Sequence, residues 1–275
     1  MATSSPHGAH DMSEAPILVT DDGPVRILTL NRPKARNTLT VGMMTALEKA
    51  FADIARTPAV RCVVIRAEGP GFCAGHDLKE MQAHRNDADR GKAFFTDLFT
   101  QCTRLMGLIR ACERPVIAEV QGIATAAGCQ LVATCDIAVA SSNARFGVNG
   151  IDVGFFCSTP AVALARNIDR KKAMELLLTG RMMSAEEACD AGLVNHVADA
   201  EELAATTMGI ATTIAGKSTA VAALGKKAFY EQVQMPLGKA YELASQAMVE
   251  NLLLADAEEG FTAFIDKRPP EWQDK

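Results

Sequence analysis

Short apolar runs alternate with amphipathic stretches along the first two-thirds of the chain, a pattern that predicts strands leading into helices. Residues 17–20 and Val25–Leu30 predict a hairpin around Asp21-Asp22-Gly23-Pro24, a strong turn signal. Thr40 opens a helix to about residue 56, with Met44, Leu47, Phe51 and Ile54 on one face. A strand over 60–66 follows, then a short helix from Asp77 and a longer one over about 92–109 carrying Phe95, Leu98, Phe99, Leu105 and Met106. A strand over Val116–Val120, a helix to about 134 and a strand over 137–140 continue the series. Repeated strand–strand–helix units of this kind predict an α/β fold with strands stacked under helices.

From Arg170 onward the pattern is mostly helical, interrupted by a strand-like run over 193–197. Ser184-Ala-Glu-Glu and Asp199-Ala-Glu-Glu both fit capping boxes, with Asp standing in for Ser/Thr in the second. Three helices are expected over roughly 201–215, 219–233 and 237–255. The apolar stripes here (Leu243, Met248, Leu252, Leu253, Phe261, Phe264) exceed what a surface layer needs, which predicts packing on the chain's own core or on other subunits. The expected organisation is a disordered tail over 1–14, a core over 15–200 and a helical region over 201–275.

At 48% hydrophobic and 22% charged residues, the composition is that of a globular protein with a substantial core. A net charge of −5 gives no reason to expect nucleic-acid binding. The eight cysteines are scattered, mostly inside apolar runs (Cys62, Cys112, Cys129, Cys135), without metal-ligand spacing. They are expected to be buried reduced thiols of a cytoplasmic protein. No run of 18 apolar residues marks a membrane span, and the Ser-, His- and Ala-rich first 14 residues lack the apolar region of a signal peptide.

Two turns rich in small residues carry the chemistry: Gly69-Pro-Gly-Phe-Cys-Ala-Gly-His-Asp77 and Gln121-Gly-Ile-Ala-Thr-Ala-Ala-Gly-Cys-Gln130. Each follows a strand-like run and leads into a helix-like one. Small residues let a ligand approach the backbone, and the N–H groups of a first helical turn lack intrahelical partners. Two such turns converging on one point would put two N–H donors on a single oxygen, the geometry of an oxyanion hole.

The run Asn31-Arg-Pro-Lys-Ala-Arg-Asn37, the turn Phe72-Cys-Ala-Gly-His-Asp-Leu78, and Gln121-Gly…Ala127-Gly-Cys129 with Cys135-Asp-Ile-Ala138 resemble the crotonase, or enoyl-CoA hydratase/isomerase, superfamily in order and spacing over about residues 16–270. Gly154-Phe-Phe-Cys-Ser-Thr-Pro160 and Gly260-Phe-Thr-Ala-Phe264…Lys267-Arg-Pro269 look closest to its enoyl-CoA hydratase domain-containing branch. The resemblance implies a spiral of repeated ββα units with a C-terminal helical region that builds trimers, often paired into hexamers. It implies a CoA thioester as substrate or ligand, with no other cofactor and no metal. His76 and Ala127 would supply the oxyanion-hole N–H groups. Lys34, Ala35 and Arg36, with Ala74, Asp77, Leu78 and Gly128, would line the CoA path. Lys226 or Lys227, and Lys267 near Phe264, would be candidates for the phosphates, with a neighbouring subunit as one source.

Hydratases of this family use two glutamates, one acting as base and one as acid near neutral pH. Matched by position, Gln130 and Gly150 stand where those acids would be. An amide holds water but has no useful pKa for taking its proton, and glycine offers nothing. His76 can titrate near neutrality, and Asp152 lies two residues past the vacant position. Ser158 and Cys157 lack an adjacent base, and Glu113 and Glu119 read as solvated or structural. The expected function is that of an acyl-CoA-binding member, nominally a hydratase-type lyase of fatty acid metabolism, with weak or absent classical hydration. The alternatives are decarboxylation of a malonyl-type thioester with His76, and non-catalytic acyl-CoA binding.

Overall fold

The hairpin forms as the turn signal dictates: strand β1 (Ile17–Asp22) runs antiparallel to β2 (Val25–Leu30), pairing Ile17 with Leu30 and Asp22 with Val25. The computed structural model describes residues 15–275, so the expected tail over 1–14 lies outside the described residues. From β2 a parallel ladder extends through β3 (Cys62–Ala67), β5 (Val116–Val120), β7 (Ile137–Ser141) and β10 (His196–Ala198), completing a six-stranded sheet.

Each of β3, β5 and β7 is followed by a short strand that the hydrophobic pattern did not reveal. These are β4 (Gly71–Cys73), β6 (Ile123–Thr125) and β8 (Arg145–Gly147), parallel to one another, with β9 (Met182–Ser184) antiparallel on β8. Three residues are too few to display a two-residue period, and β4 and β6 sit inside the runs that read as turns. The repeating unit is a long strand, a short strand and then helix, the strand–strand–helix repeat expected from the sequence. The helices over the inner face are α1 (Val41–Ile54), α2 (Leu78–His84), α3 (Lys92–Ala111) and α4 (Ala127–Thr134). Thr40 caps α1, its side chain accepting from the Met43 N–H.

Successive strand residues point to opposite faces. Leu28, Leu30, Val63, Ile65, Val116 and Ala118 meet Met44, Leu47, Phe51, Leu98 and Ile109 in the main core. Val25, Ile27, Cys62, Val64, Ile117 and Val139 turn the other way, onto Leu203, Ala211 and Ala215 of α8 (Leu203–Ala215). Burial on both faces explains why these strands read as continuous apolar runs. It also places α8 in the core, so a boundary at 200 cuts through a packed layer.

Helices α5 (Ser158–Leu164) and α6 (Arg170–Thr179) lead to α7 (Ala185–Asp190). The Ser184 capping box forms at α7: Ser184 Oγ accepts from Glu187 N at 3.1 Å, and Glu187 Oε2 accepts from Ser184 N at 2.9 Å. The second predicted box does not form. The N–H of Glu202 donates to the Asp199 carbonyl, making a turn, and α8 starts without a side-chain cap. After α9 (Thr219–Gln232) and α10 (Leu237–Leu252) comes a further helix, α11 (Ala255–Asp266), where one helix to 255 was expected. Leu254 takes extended backbone (φ −70°, ψ 143°), and the buried Asp256 accepts from the N–H groups of Gln273 and Asp274.

Candidate functional site

The two small-residue turns lie against each other beyond the ends of β4 and β6. Gly75 has φ +83°, and a Cβ there would stand 2.9 Å from Ala126 Cβ and 3.1 Å from Ala127 N. Only glycine combines that backbone with that approach. Ala126 sits at φ 52°, ψ −122°, unfavourable for a residue with a Cβ and worth about 1–3 kcal/mol of strain. Its N–H donates to Gly147 O at 2.9 Å and its carbonyl accepts from Gln130 N at 3.0 Å, which hold it there. Gly128 opens α4 hard against the Cys73 carbonyl, where no side chain fits. Among the described residues, neither His76 N–H nor Ala127 N–H takes part in the backbone bonds that tie turns, loops and caps together.

Asn37, fully buried, links the preceding loop to the first turn. Its Oδ1 accepts from Arg32 N at 2.8 Å, and its Nδ2 donates to Glu68 O and Gly71 O, both at 2.9 Å. It stood in the motif without an assigned role; an asparagine at a left-handed position (φ 53°) was the available signal. Beside it, Ala74 N donates to Arg36 O at 3.0 Å, joining the exposed Lys34 and Arg36 to the site through the backbone. Asp77 is occupied in holding the turn. It accepts from Lys79 N, Glu80 N and Thr38 Oγ1 as the N-cap of α2, and it does not line the cavity described next.

Between the turns and a short 3₁₀ segment (Asn149–Val153) lies a cavity of about 340 Å³. Its wall includes Ala74, His76, Leu78, Phe99, Ala127, Gly150, Phe155 and Cys157, with Thr125, Asn149, Ser158 and Thr159 as its hydroxyl and amide groups. Thr125 Oγ1 donates to Asn149 Oδ1. An apolar wall with a few polar groups is the usual make-up of a small-molecule site. Among the described residues no carboxylate lines it.

His76 stands edge-on to Phe99, ring centroids 5.5 Å apart, with Nδ1 3.2 Å from Leu39 O. A carbonyl only accepts, so Nδ1 carries the proton and Nε2, buried and without a partner, is the lone pair of the neutral ring. Burial lowers the His76 pKa below its ordinary value, and the Leu39 bond opposes that only in part. A depressed folded-state pKa means the unfolded chain binds the proton first. His76 therefore contributes stability that is present above about pH 6.5 and is lost as pH falls through the folded-state pKa. His76→Asn is expected to flatten the fall of melting temperature on that acid side relative to the parent, read by thermal denaturation across pH. A parallel acid limb in both proteins would count against the burial effect.

The enoyl-CoA hydratase/isomerase family model matches residues 21–275. The chain belongs to that family. Mouse enoyl-CoA hydratase domain-containing protein 3, mitochondrial, is 48% identical over 248 residues, covering 90% of this chain and 81% of the relative. The crystal structure of the human protein of that name superposes with a TM-score of 0.89 at 47% identity, over 94% of this chain and all of the other. An enoyl-CoA hydratase from Mycobacterium smegmatis gives 0.90 at 47% identity, over 94% of this chain and 99% of its own. The expectation of a cytoplasmic location is corrected by these relatives: the mouse, rat, human and frog proteins are all named mitochondrial.

Of the residues carried over from the enoyl-CoA hydratase/isomerase motifs, Ala74, His76, Leu78, Ala127 and Gly150 meet at the cavity. Gln130 is buried on α4 with Oε1 unpartnered, and it does not line the wall. Asp152 is exposed and lies against Gly180 at the end of α6, so the structure turns it away from the cavity. Cys157 and Ser158 reach the wall; burial raises the Cys157 thiol, and no base stands beside either. Glu113 is exposed beside Arg114, and Glu119 is buried beneath α8, its pKa raised by burial. Lys226 is corrected: its Nζ bonds Asp136 Oδ2 at 2.7 Å and the Ile109 and Arg114 carbonyls, leaving nothing for a phosphate. Lys227, Phe264 and Lys267 are exposed on or just past α9 and α11, away from the cavity wall. Among the described residues no helix is long and apolar enough to cross a membrane.

Proposed function

We propose that this chain binds an acyl-CoA thioester in the 340 Å³ cavity and stabilises its enolate oxygen with the backbone N–H groups of His76 and Ala127, without two-glutamate hydration of an enoyl group. The observation that carries this reading is the closure of Gly75 onto Ala127 N beside a cavity that, among the described residues, no carboxylate lines. Each such donor contributes roughly 10²–10³-fold to a reaction passing through an oxyanion. The exposed apolar side chains of α10 and α11, among them Tyr241, Leu252 and Phe264, support a homotrimer or a pair of trimers. The mitochondrial names of the vertebrate relatives support a mitochondrial location.

Calorimetry with butyryl-CoA and its thioether analogue S-butyl-CoA tests the hole directly. The thioester is expected to bind about tenfold tighter, the scale of one or two hydrogen bonds to a carbonyl oxygen. Equal affinities would remove the hole, and no affinity for either ligand would remove the site.

A second reading is favoured by the same acid-free wall. Decarboxylation of a malonyl-type thioester breaks the Cα–carboxylate bond, releases CO₂ and sends the electron pair to the thioester oxygen, so no base is needed. His76 brings no charge to that step: burial lowers its pKa below the ordinary value, and its Nδ1 is taken by Leu39 O.

A further inference from the structure

Helix α3 carries Lys92, Phe95, Thr96 and Phe99 at i, i+3, i+4 and i+7, one continuous stripe. Phe99 lies in the wall of the acyl-thioester cavity. It also lines a second, open cavity of about 780 Å³, together with the rest of the stripe, Arg85, Asp89 and Arg90. The stripe therefore runs from the thioester site to a basic pole roughly 10 Å away, at about 1.5 Å of helix per residue.

The cations of this wall, Arg85, Arg90 and Lys92, outnumber its carboxylate, Asp89. Among the described residues Asp89 is the one carboxylate in the wall, and its oxygens accept from Gly91 N at 3.0 Å and Ala93 N at 2.8 Å, opening α3. Among the described residues, Arg85, Arg90 and Lys92 form no ion pair; Arg85 lies 5.9 Å from the centroid of the Phe95 ring. Arg90 has φ +60°, a backbone that disfavours residues with a side chain, so the chain holds this cation at the rim in an unfavourable conformation.

We infer that the second cavity receives the far end of the acyl group and that this end is an anion: the preferred ligands are thioesters of dicarboxylic acids, with a terminal carboxylate facing Arg85, Arg90 and Lys92. The inference rests on the acyl-CoA reading above. At roughly 1.2 Å per extended backbone bond, crossing about 10 Å beyond Phe99 takes a chain of about eight bonds. CoA phosphates are the other anions such a ligand carries. The exposed Lys34 and Arg36 meet the thioester cavity through Ala74, whereas the basic pole meets it through Phe99.

Titration calorimetry of the full chain with dodecanedioyl-CoA and dodecanoyl-CoA separates the possibilities. The dicarboxylic thioester is expected to bind about tenfold tighter at low salt, the scale of a few exposed charge pairs acting together. The preference should shrink as salt screens it. Arg85→Gln/Arg90→Asn/Lys92→Gln, all exposed positions and with an asparagine that tolerates the left-handed backbone, should abolish the preference and leave dodecanoyl-CoA within twofold of the parent. Equal affinity of the parent for both thioesters overturns the inference while the acyl-CoA reading stands. A variant that weakens both alike assigns the pole to CoA phosphates and overturns it too. A parent that binds neither removes the acyl-CoA reading and the inference with it.

Discussion

Hydration of crotonyl-CoA by this protein is expected to run at least about 10⁴-fold below that of a family member carrying both glutamates, since each positioned acid or base contributes about 10²–10⁴-fold. Installing the acids should not recover it. A Cβ at position 150 would stand 2.7 Å from Cys157 Sγ and 2.8 Å from the Phe155 carbonyl, one of them a backbone atom that cannot swing aside. Gly150→Ala alone is expected to lower stability by about 1–3 kcal/mol through overpacking, seen as a melting temperature reduced by about 2–4 °C per kcal/mol. Gln130→Glu/Gly150→Glu adds a longer charged side chain to the same clash, and Gln130 itself does not reach the cavity wall. Turnover by either protein at the rate of a two-glutamate hydratase, followed as loss of the conjugated thioester absorbance, would end the reading. An unchanged melting temperature for Gly150→Ala would show that the segment from 149 to 157 yields, and that a glutamate has room there.

The contrast between Gly150 and Lys226 shows which parts of this site sequence reasoning could reach. Features encoded within a few residues were legible: the 21–24 turn, the Thr40 cap, the Ser184 capping box, and the two turns whose small residues must pass close to other backbone. The second capping box fits its pattern equally well, yet the chain at Asp199 closes a turn, because the start of α8 is set by Leu203 and Ala211 packing on the sheet. The short strands β4, β6 and β8 were illegible for want of length, although they aim both turns. The break at Leu254 depends on Asp256 capturing backbone from residues 273 and 274, a long-range contact that no local pattern encodes. Gly150 does line the cavity, but motif matching could not reveal that Cys157 Sγ and the Phe155 carbonyl leave no space for a side chain there. Asp152, only two residues on, faces a different element altogether. The lysines of α9 needed a three-dimensional partner to be read at all.

Lys226 is where that partner changes the expected experiment. Its side chain and that of Asp136 are 9% and 15% exposed, 90 residues apart in sequence, with Nζ and Oδ2 separated by 2.7 Å. Asp136 also accepts from Val116 N at 2.7 Å and from Tyr230 Oη at 2.8 Å, so one carboxylate ties β5, the start of β7 and α9 together. The pair's attraction is offset by the desolvation of both ions, but removing one partner strands the other. Lys226→Met is therefore expected to cost about 3–5 kcal/mol of stability, a fall in melting temperature of roughly 10 °C at the scale usual for domains of this size. The affinity of the folded variant for butyryl-CoA, measured well below its transition, should stay within twofold. Lys226→Met/Asp136→Leu should be less damaged than the sum of its single changes, because the charge that Lys226→Met leaves buried and unpaired is then gone. Strictly additive losses would show that the pair has no mutual dependence. A weakened affinity for butyryl-CoA with an unaltered melting temperature would return Lys226 to the phosphates and detach α9 from the sheet in the ligand-bound protein.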